Sequence, residues 1–250
     1  MHSSVPLGNT IIRFDSVDST NKSALLAAAE GAAEGTVFLA KSQTQGRGRR
    51  TKIWYSPPGM GLYFSVLLRP MTEATKANFL VLQSAVAVCM AIEEVTKIPA
   101  GIKWPNDIYM DGKKLGGILL ETVISGETLQ HAVVGIGINL NHSSGDYPEE
   151  LRNKAISIKE VTGKEVNGEQ MMNRILSIFD DYYSNRVECT INMWENKCIH
   201  SNRIVTLMTN GETLRGFFND VSADLSFKLR EEAGRIHNIQ YGEISLDMEE

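Results

Sequence analysis

Residues Leu115–Leu140 read LGGILLETVISGETLQHAVVGIGINL. Two apolar runs, Leu115–Val123 and Leu129–Leu140, flank a Ser125-Gly126 turn signal. Runs of this length, rich in Ile, Leu and Val and joined by so short a turn, predict adjacent antiparallel strands. A strand-like segment at Gly101–Trp104 precedes them, with Gly112 marking a turn between. Strands that follow one another without intervening helices predict a mixed, largely antiparallel sheet with helices on one face, an α+β layout.

The same reading extends outward. Thr10–Phe14, Thr36–Lys41 and Gly61–Arg69 read as strands. DSTN at Asp18–Asn21 opens an Ala/Leu-rich helix that Gly31 stops, with a hydroxyl or Asp residue as its cap. A long helix is expected over about Thr72–Thr96. Met172, Ile175, Leu176, Phe179, Tyr182 and Tyr183 recur at helical spacing and predict an amphipathic helix over Glu169–Glu188. After about residue 200 the pattern changes to short strands, Ile204–Met208, Thr213–Phe218, Leu225–Leu229 and Arg235–Gln240, with turns such as Asn210-Gly211. This predicts an α+β domain over 1–200 and a small β-barrel over 201–250.

The 250 residues carry a net charge of −5, which argues against a general nucleic-acid coat but leaves room for a local anion site. Cys89, Cys189 and Cys198 have neither metal-ligand nor disulfide spacing, as expected in a reducing compartment. The start MHSSVPLGNT lacks the basic and long apolar parts of a signal peptide. The longest apolar run, Phe79–Ile92, has 14 residues and contains Gln83 and Ser84, against roughly 20 for a membrane span. A cytoplasmic protein without a membrane anchor is expected.

Chemistry concentrates in four stretches. Gln43–Arg50 read QTQGRGRR, and from Lys41 to Lys52 there are five positive charges and no acid. Glycines permit close backbone approach and arginines offer a planar fork of donors for phosphate. A solvated basic turn and a nucleic-acid contact remain open for this stretch alone, and no G-x-x-x-x-G-K-[ST] loop occurs. Lys103–Asp107 read KWPND, with Asn106 and Asp107 presented where Pro105 ends a strand. Lys103 reads either as an edge lysine or as part of that mouth. Lys113–Glu121 read KKLGGILLE, either a basic hairpin turn, the reading preferred for Lys113, or a cation beside bare backbone, where a negative charge could develop. Gly135–Asn141 read GIGINLN, whose asparagines can read a polar ring edge. Trp54 ends the basic loop and reads as a stacking platform or a core residue. His131, His142, His200 and His237 have no metal or triad spacing, so electrostatic rather than nucleophilic catalysis is expected.

With DSTN, QTQGRGRR, KWPND, KKLGGILLE and GIGINLN in this order, and YGEISL near the end, the chain closely resembles the biotin protein ligases, also called biotin–[acetyl-CoA-carboxylase] ligases. The resemblance implies a class II synthetase-like catalytic domain followed by an SH3-like barrel. It implies that ATP and biotin, with Mg²⁺ accompanying ATP, form biotinyl-5′-AMP, and that biotin then passes to a lysine of a biotin carboxyl carrier domain. Ser19, Thr20, Asn21, Gln43, Gly46, Arg47, Gly48, Arg49, Lys114 and Gly116 would contact biotin. Arg47, Arg49, Trp54, Asn106, Lys114 and Asn139 would hold the nucleotide. Arg49, Lys114, Lys103 and Asp107 would carry the chemistry, with no protein metal ligands. Many members begin with a DNA-binding helix-turn-helix domain, for which DSTN at residue 18 leaves no room, so no DNA partner is expected. A homodimer paired across Val133–Leu140 stands beside an internal role for that strand. The segment Asn141–Gly168 matches least, and no contacts are assigned there. A lipoate–protein ligase of similar fold, and a non-enzymatic biotin sensor or nucleic-acid-binding protein, are the rival readings.

Overall fold

The computed structural model describes residues 6–70, 72–184, 189–209 and 211–246, with the side chains of 245 and 246 outside that set. In chain order the elements are β1 (Ile11–Phe14), α1 (Thr20–Ala29), β2 (Val37–Ala40), β3 (Gly61–Leu68), α2 (Phe79–Thr96), β4 (Gly101–Lys103), β5 (Asp107–Met110), β6 (Lys113–Ser125) and β7 (Thr128–Asn139). There follow α3 (Ile158–Thr162), α4 (Gly168–Ser184), α5 (Thr190–Lys197), β8 (Ile204–Thr209), β9 (Glu212–Val221), β10 (Phe227–Arg230), β11 (Ile236–Ile239) and β12 (Glu243–Leu246).

The first seven strands form one mixed sheet, ordered β1-β2-β3-β7-β6-β5-β4. β1 and β2 pair in parallel and every other neighbouring pair is antiparallel. The β6–β7 hairpin lies at its centre, as its apolar sequence on both faces predicts. β7 is hydrogen-bonded on one side to β3 and on the other to β6, so it offers no free edge for pairing across a dimer.

The period of two along these strands sorts the residues. Val134, Ile136 and Ile138 of β7 and Ile118 of β6 face the buried layer that contains α2 and α4. The alternate residues face the other way, where α1 packs Ala24 and Ala28 on Phe38, Leu67 and Val133. The two longest helices thus share a face, and the short α1 covers one end of the opposite face. The rest of that opposite face is left for a site.

α2 is buried nearly all round, and its two polar core residues are satisfied internally. Gln83 Nε2 donates to the Tyr182 carbonyl at 2.7 Å and Ser84 Oγ to the Leu80 carbonyl at 2.7 Å. Residues 74–96 are long and apolar enough to cross a membrane, yet 67% of the most apolar window is buried inside the protein, as in a core helix. The helix begins at Phe79 rather than near Thr72. The backbone of Ala74 donates instead to Glu127 at the β6–β7 turn at 2.9 Å, and a single 3-10 turn precedes the helix.

Three short elements were not foreseen: β5, α3 and α5. A signal for α3 was present, because Ser157 and Glu160 form a reciprocal capping box. α4 is described to Ser184, and the last four residues of the expected helix, 185–188, lie outside the described residues, as does Asn210 of the expected turn.

The C-terminal strands form an antiparallel sheet, ordered β11-β10-β9-β8-β12. It docks through Trp104, whose Nε1 donates to the Leu225 carbonyl at 2.8 Å and whose ring meets Phe227 edge-on at 4.9 Å.

Candidate functional site

A cavity of about 660 Å³ lies on the free face of the large sheet, walled by the start of α1, the basic loop, the segment after β7 and the start of β12. Its floor lies along one row of cross-strand partners, in which Gly137 pairs with Gly117, Gly117 with Asp107, and Asp107 with Lys103. Beyond the lining, Tyr63 continues the row as the partner of Gly137. The row runs from an aromatic end, across bare backbone, to a charged end.

The glycines explain the G-x-G of β7. A Cβ on Gly137 would stand 2.6 Å from the Trp54 indole, and one on Gly117 would meet the same ring at 3.5 Å. A Cβ on Gly135 would stand 2.0 Å from Asn21 Oδ1. Two residues apart on one strand face, Gly135 and Gly137 seat two different site residues directly on the backbone.

At the charged end, Lys114 Nζ is 2.6 Å from Asp107 Oδ1 and 5.5 Å from the Trp54 ring centroid. Lys114 and Gly117 are three apart, which in a regular strand would send them to opposite faces. An extra residue in β6, where Ile108 pairs with Gly116 but Tyr109 with Lys114, corrects this. Such a bulge re-aims a side chain, and Lys114 is thereby turned into the cavity. Lys103 is half-buried over the Tyr109 ring at 5.2 Å. Burial chiefly lowers its pKa; the Asp107 carboxylate opposes that and the Lys114 cation adds to it. Three cations, Lys103, Lys114 and Arg49, thus surround one carboxylate, an excess of positive charge suited to an anionic ligand.

The opposite end is polar and uncharged at its base. Gln43 Oε1 accepts from the Thr20 backbone N–H at 2.9 Å, and Gln43 Nε2 donates to Ser56 Oγ at 3.0 Å. Ser19 caps α1 by position, but its side chain makes no capping bond, and Gln43 satisfies the helix end instead. Ser65 Oγ lies 2.7 Å from Thr20 Oγ1 and 2.6 Å from Asn21 Oδ1.

The basic loop closes over both ends. Arg47 pairs with Glu121 at 2.9 Å, Arg49 Nη1 donates to Asn106 Oδ1 at 3.3 Å, and Lys52 reaches Glu243 of β12 at 2.8 Å. Burial, reinforced by Arg50, lowers the Arg49 pKa, though a guanidinium stays charged. The loop glycines do not take left-handed backbone; Arg50 and Thr51 do, at φ 51° and 67°. Gly46 is needed for proximity, since a Cβ there would stand 2.3 Å from the Trp54 carbonyl.

Of the residues named from sequence, Ser19, Thr20, Asn21, Gln43, Arg47, Gly48, Arg49, Trp54, Lys103, Asn106, Asp107, Lys114 and Asn139 all line this cavity. Gly46 stands behind the lining. Gly116 faces away, its missing Cβ directed at the Gly137 carbonyl, Ile138 and Ile108, and Gly117 occupies the floor position instead. Sequence reasoning missed Ser65, a hydroxyl in an otherwise apolar strand, and Glu121, an acid at the end of LGGILLE. It also missed the wall formed by Tyr147, Leu151 and Lys154. That wall is tied to the site because Lys114 N–H donates to the Lys154 carbonyl at 2.9 Å and Asn139 Nδ2 to the Ile156 carbonyl at 3.1 Å.

Residues 13–139 match the biotin/lipoate A/B protein ligase family. The bifunctional ligase/repressor BirA of Bacillus subtilis is 39% identical over 177 residues, covering 71% of this chain and 54% of the relative, so the chain spans about half of that protein's length. The biotin–[acetyl-CoA-carboxylase] ligase of Paracoccus denitrificans is 31% identical over 228 residues, covering 87% of this chain and 93% of the relative. Among solved structures, the biotin protein ligase of Aquifex aeolicus in complex with biotin and ATP superposes with a TM-score of 0.77 at 31% identity, covering 95% of this chain and 98% of that one. The matched span, the relative's identity over most of the chain and the superposition agree, and the chain belongs to the biotin/lipoate A/B protein ligase family.

Proposed function

We propose that the protein is a biotin–[acetyl-CoA-carboxylase] ligase. It joins biotin to ATP as biotinyl-5′-AMP, releasing pyrophosphate, and passes the biotinyl group to a lysine of a biotin carboxyl carrier domain. The observation that carries this reading is the single cavity with a polar end at Thr20, Asn21 and Gln43, a glycine floor under Trp54 and a cationic end at Lys103, Lys114 and Arg49. A polar bicyclic ring would occupy the first, the adenine of the nucleotide would lie at Trp54, and the carboxylate and α-phosphate would meet at the cationic end. The cytoplasmic setting and the carrier partner belong to the same proposal.

The chemistry follows from charge. Biotin's carboxylate is already ionised, so no general base is required for its attack on the α-phosphate. Two anions must instead be brought together and aligned. Lys114 and Arg49 neutralise them from two sides, and Asp107 holds Lys114 in place between turnovers. Trp54 offers its ring to the adenine, and Asn139, whose Nδ2 is engaged by Ile156, offers Oδ1 to the adenine amino group. The loop then shields the mixed anhydride from water.

Mg²⁺ would arrive with ATP as part of the substrate. The carboxylates that line the cavity and could hold it together with the phosphates are Asp107 and Glu243. Magnesium held by one or two carboxylates plus phosphates is the usual arrangement in nucleotide sites.

The polar end favours biotin over lipoate. A dithiolane ring has no hydrogen-bond donors and would leave these buried groups unpaired, a costly outcome. The test is to incubate the protein with ATP, biotin and a carrier domain and to probe with streptavidin. A biotinylated carrier is expected. An unlabelled carrier while biotin still binds would favour a sensor, and calorimetric binding of lipoate but not biotin would favour a lipoate ligase.

A further inference from the structure

Glu121 takes no part in the charge neutralisation just described, yet it joins two walls of the cavity. It stands on the site face of β6, and its side chain is 19% exposed. One carboxylate oxygen lies 2.9 Å from the Arg47 guanidinium, and the other accepts from Asn21 Nδ2 at 2.9 Å. The basic loop and the first turn of α1 are thereby held by one group.

A carboxylate can only accept. Glu121 therefore fixes the Asn21 amide with its nitrogen towards β6, where it also meets the Leu119 carbonyl at 3.3 Å. The Asn21 oxygen is left facing Ser65 Oγ at 2.6 Å. Ser65 has a single proton and gives it to Asn21. Thr20 Oγ1 stands 2.7 Å from Ser65 Oγ and 3.2 Å from Gln43 Oε1, and we take its proton to go to the nearer Ser65, while the Thr20 backbone N–H serves Gln43. The protons run one way, from Thr20 through Ser65 and Asn21 to Glu121. That leaves lone pairs of Thr20 and Gln43 available at the polar end, which suits a ring presenting N–H groups. Gly135 contributes by admitting Asn21, since any side chain there would collide with its amide.

We propose that Glu121 is a positioning residue for substrate capture: by tying Arg47 to Asn21 it sets the closed place of the basic loop and the hydrogen-bond direction at the polar end, and so tunes recognition of biotin's cyclic urea. This rests on the reading of the protein as a biotin ligase. The two arms share one carboxylate, so they are coupled. Loss of the charge loosens the loop and lets the Asn21 amide turn over at the same moment.

The experiment is steady-state and single-turnover adenylation by wild type, Glu121→Gln, Arg47→Met and the double variant. Glu121→Gln is expected to raise the KM for biotin about tenfold to a hundredfold, the span for losing charge-assisted hydrogen bonds. The rate at saturating biotin should stay within about threefold of wild type, because the groups around the α-phosphate are untouched. The double variant should lose less than the product of the two single losses. An unchanged KM, a fall in kcat alone, or fully multiplicative losses would each overturn the proposal. Glu121→Asp keeps the charge on a stem one methylene shorter, and serves if the glutamine variant does not fold. A smaller rise in KM is expected, and wild-type behaviour would equally overturn the assignment. If the wild type forms no biotinyl-AMP, the ligase reading fails instead, and calorimetric biotin affinity of the same variants still tests Glu121.

Discussion

Two regions meet at the cavity: the sheet row of Gly137, Gly117, Asp107 and Lys103, and the basic loop from Gln43 to Trp54. In the row, backbone ladders on both sides fix Gly137, Gly117 and Asp107, and side chains are absent where a ring must lie. In the loop, position depends on side chains reaching outward to Glu121, Asn106 and Glu243, and two non-glycine residues sit in left-handed backbone. Left-handed backbone is unfavourable for such residues, so the loop's closed form is held by contacts that a ligand can strengthen or replace. The floor supplies fixed geometry and the loop supplies reversible enclosure.

Changes to the floor should therefore damage chemistry or binding outright, and changes to the loop should alter retention. Lys114→Ala removes the cation that the bulge aims into the cavity. The rate of pyrophosphate release should fall about 10²- to 10³-fold, the usual span for losing an electrostatic group at a developing charge; a wild-type rate would break the contrast. Gly137→Ala pushes a methyl into the Trp54 ring. A rise in the KM for ATP of about tenfold to a hundredfold is expected, in line with overpacking costs of about 1–3 kcal/mol, and unchanged nucleotide binding would show that the floor yields.

On the loop side, Arg49→Gly should still make the adenylate but release it about tenfold faster, given the worth of a charged hydrogen bond. A single-turnover assay that follows free biotinyl-AMP checks this, and full retention would move the enclosing role elsewhere. Lys52→Ala should change retention by less than about twofold, because the Lys52–Glu243 pair is 70% and 56% exposed and exposed pairs contribute little. A large effect there would mean that β12 governs the loop.

Much of this was legible in the sequence. The strands around the central hairpin and the apolar core helix could be named from local pattern, because alternation and turn signals are written locally, and the motifs with the resemblance they carry named thirteen of the residues that line the cavity. Three things could not be. The pairing of Gly117 with Gly137, which makes a floor from two separate motifs, depends on register between strands. The seat of Asn21 on Gly135 joins residues over a hundred positions apart, and a G-x-G shows no sign of what it accommodates. Ser65 and Glu121 look like unremarkable strand residues until Arg47 and Asn21 are seen to converge on them. DSTN reads both as a helix cap and as part of the site; Ser19, Thr20 and Asn21 do line the cavity, but the capping bond at the helix end comes from Gln43 rather than from the motif's own side chains.

The extra residue at Leu115 has a consequence for how this protein can change length. A β-strand assigns faces by parity, and the bulge shifts that parity once, between Lys114 and Gly117. Removing a single residue there would restore regular counting and turn the lysine into the hydrocarbon layer beneath, with no substitution made. Three residues earlier, the Asp111-Gly112 tip is exposed and already in left-handed backbone, so length variation is tolerable there. Insertions and deletions in this hairpin should therefore be accepted at its tip and rejected three residues later, a sharp boundary in permitted length that a scan of substitutions alone would not reveal.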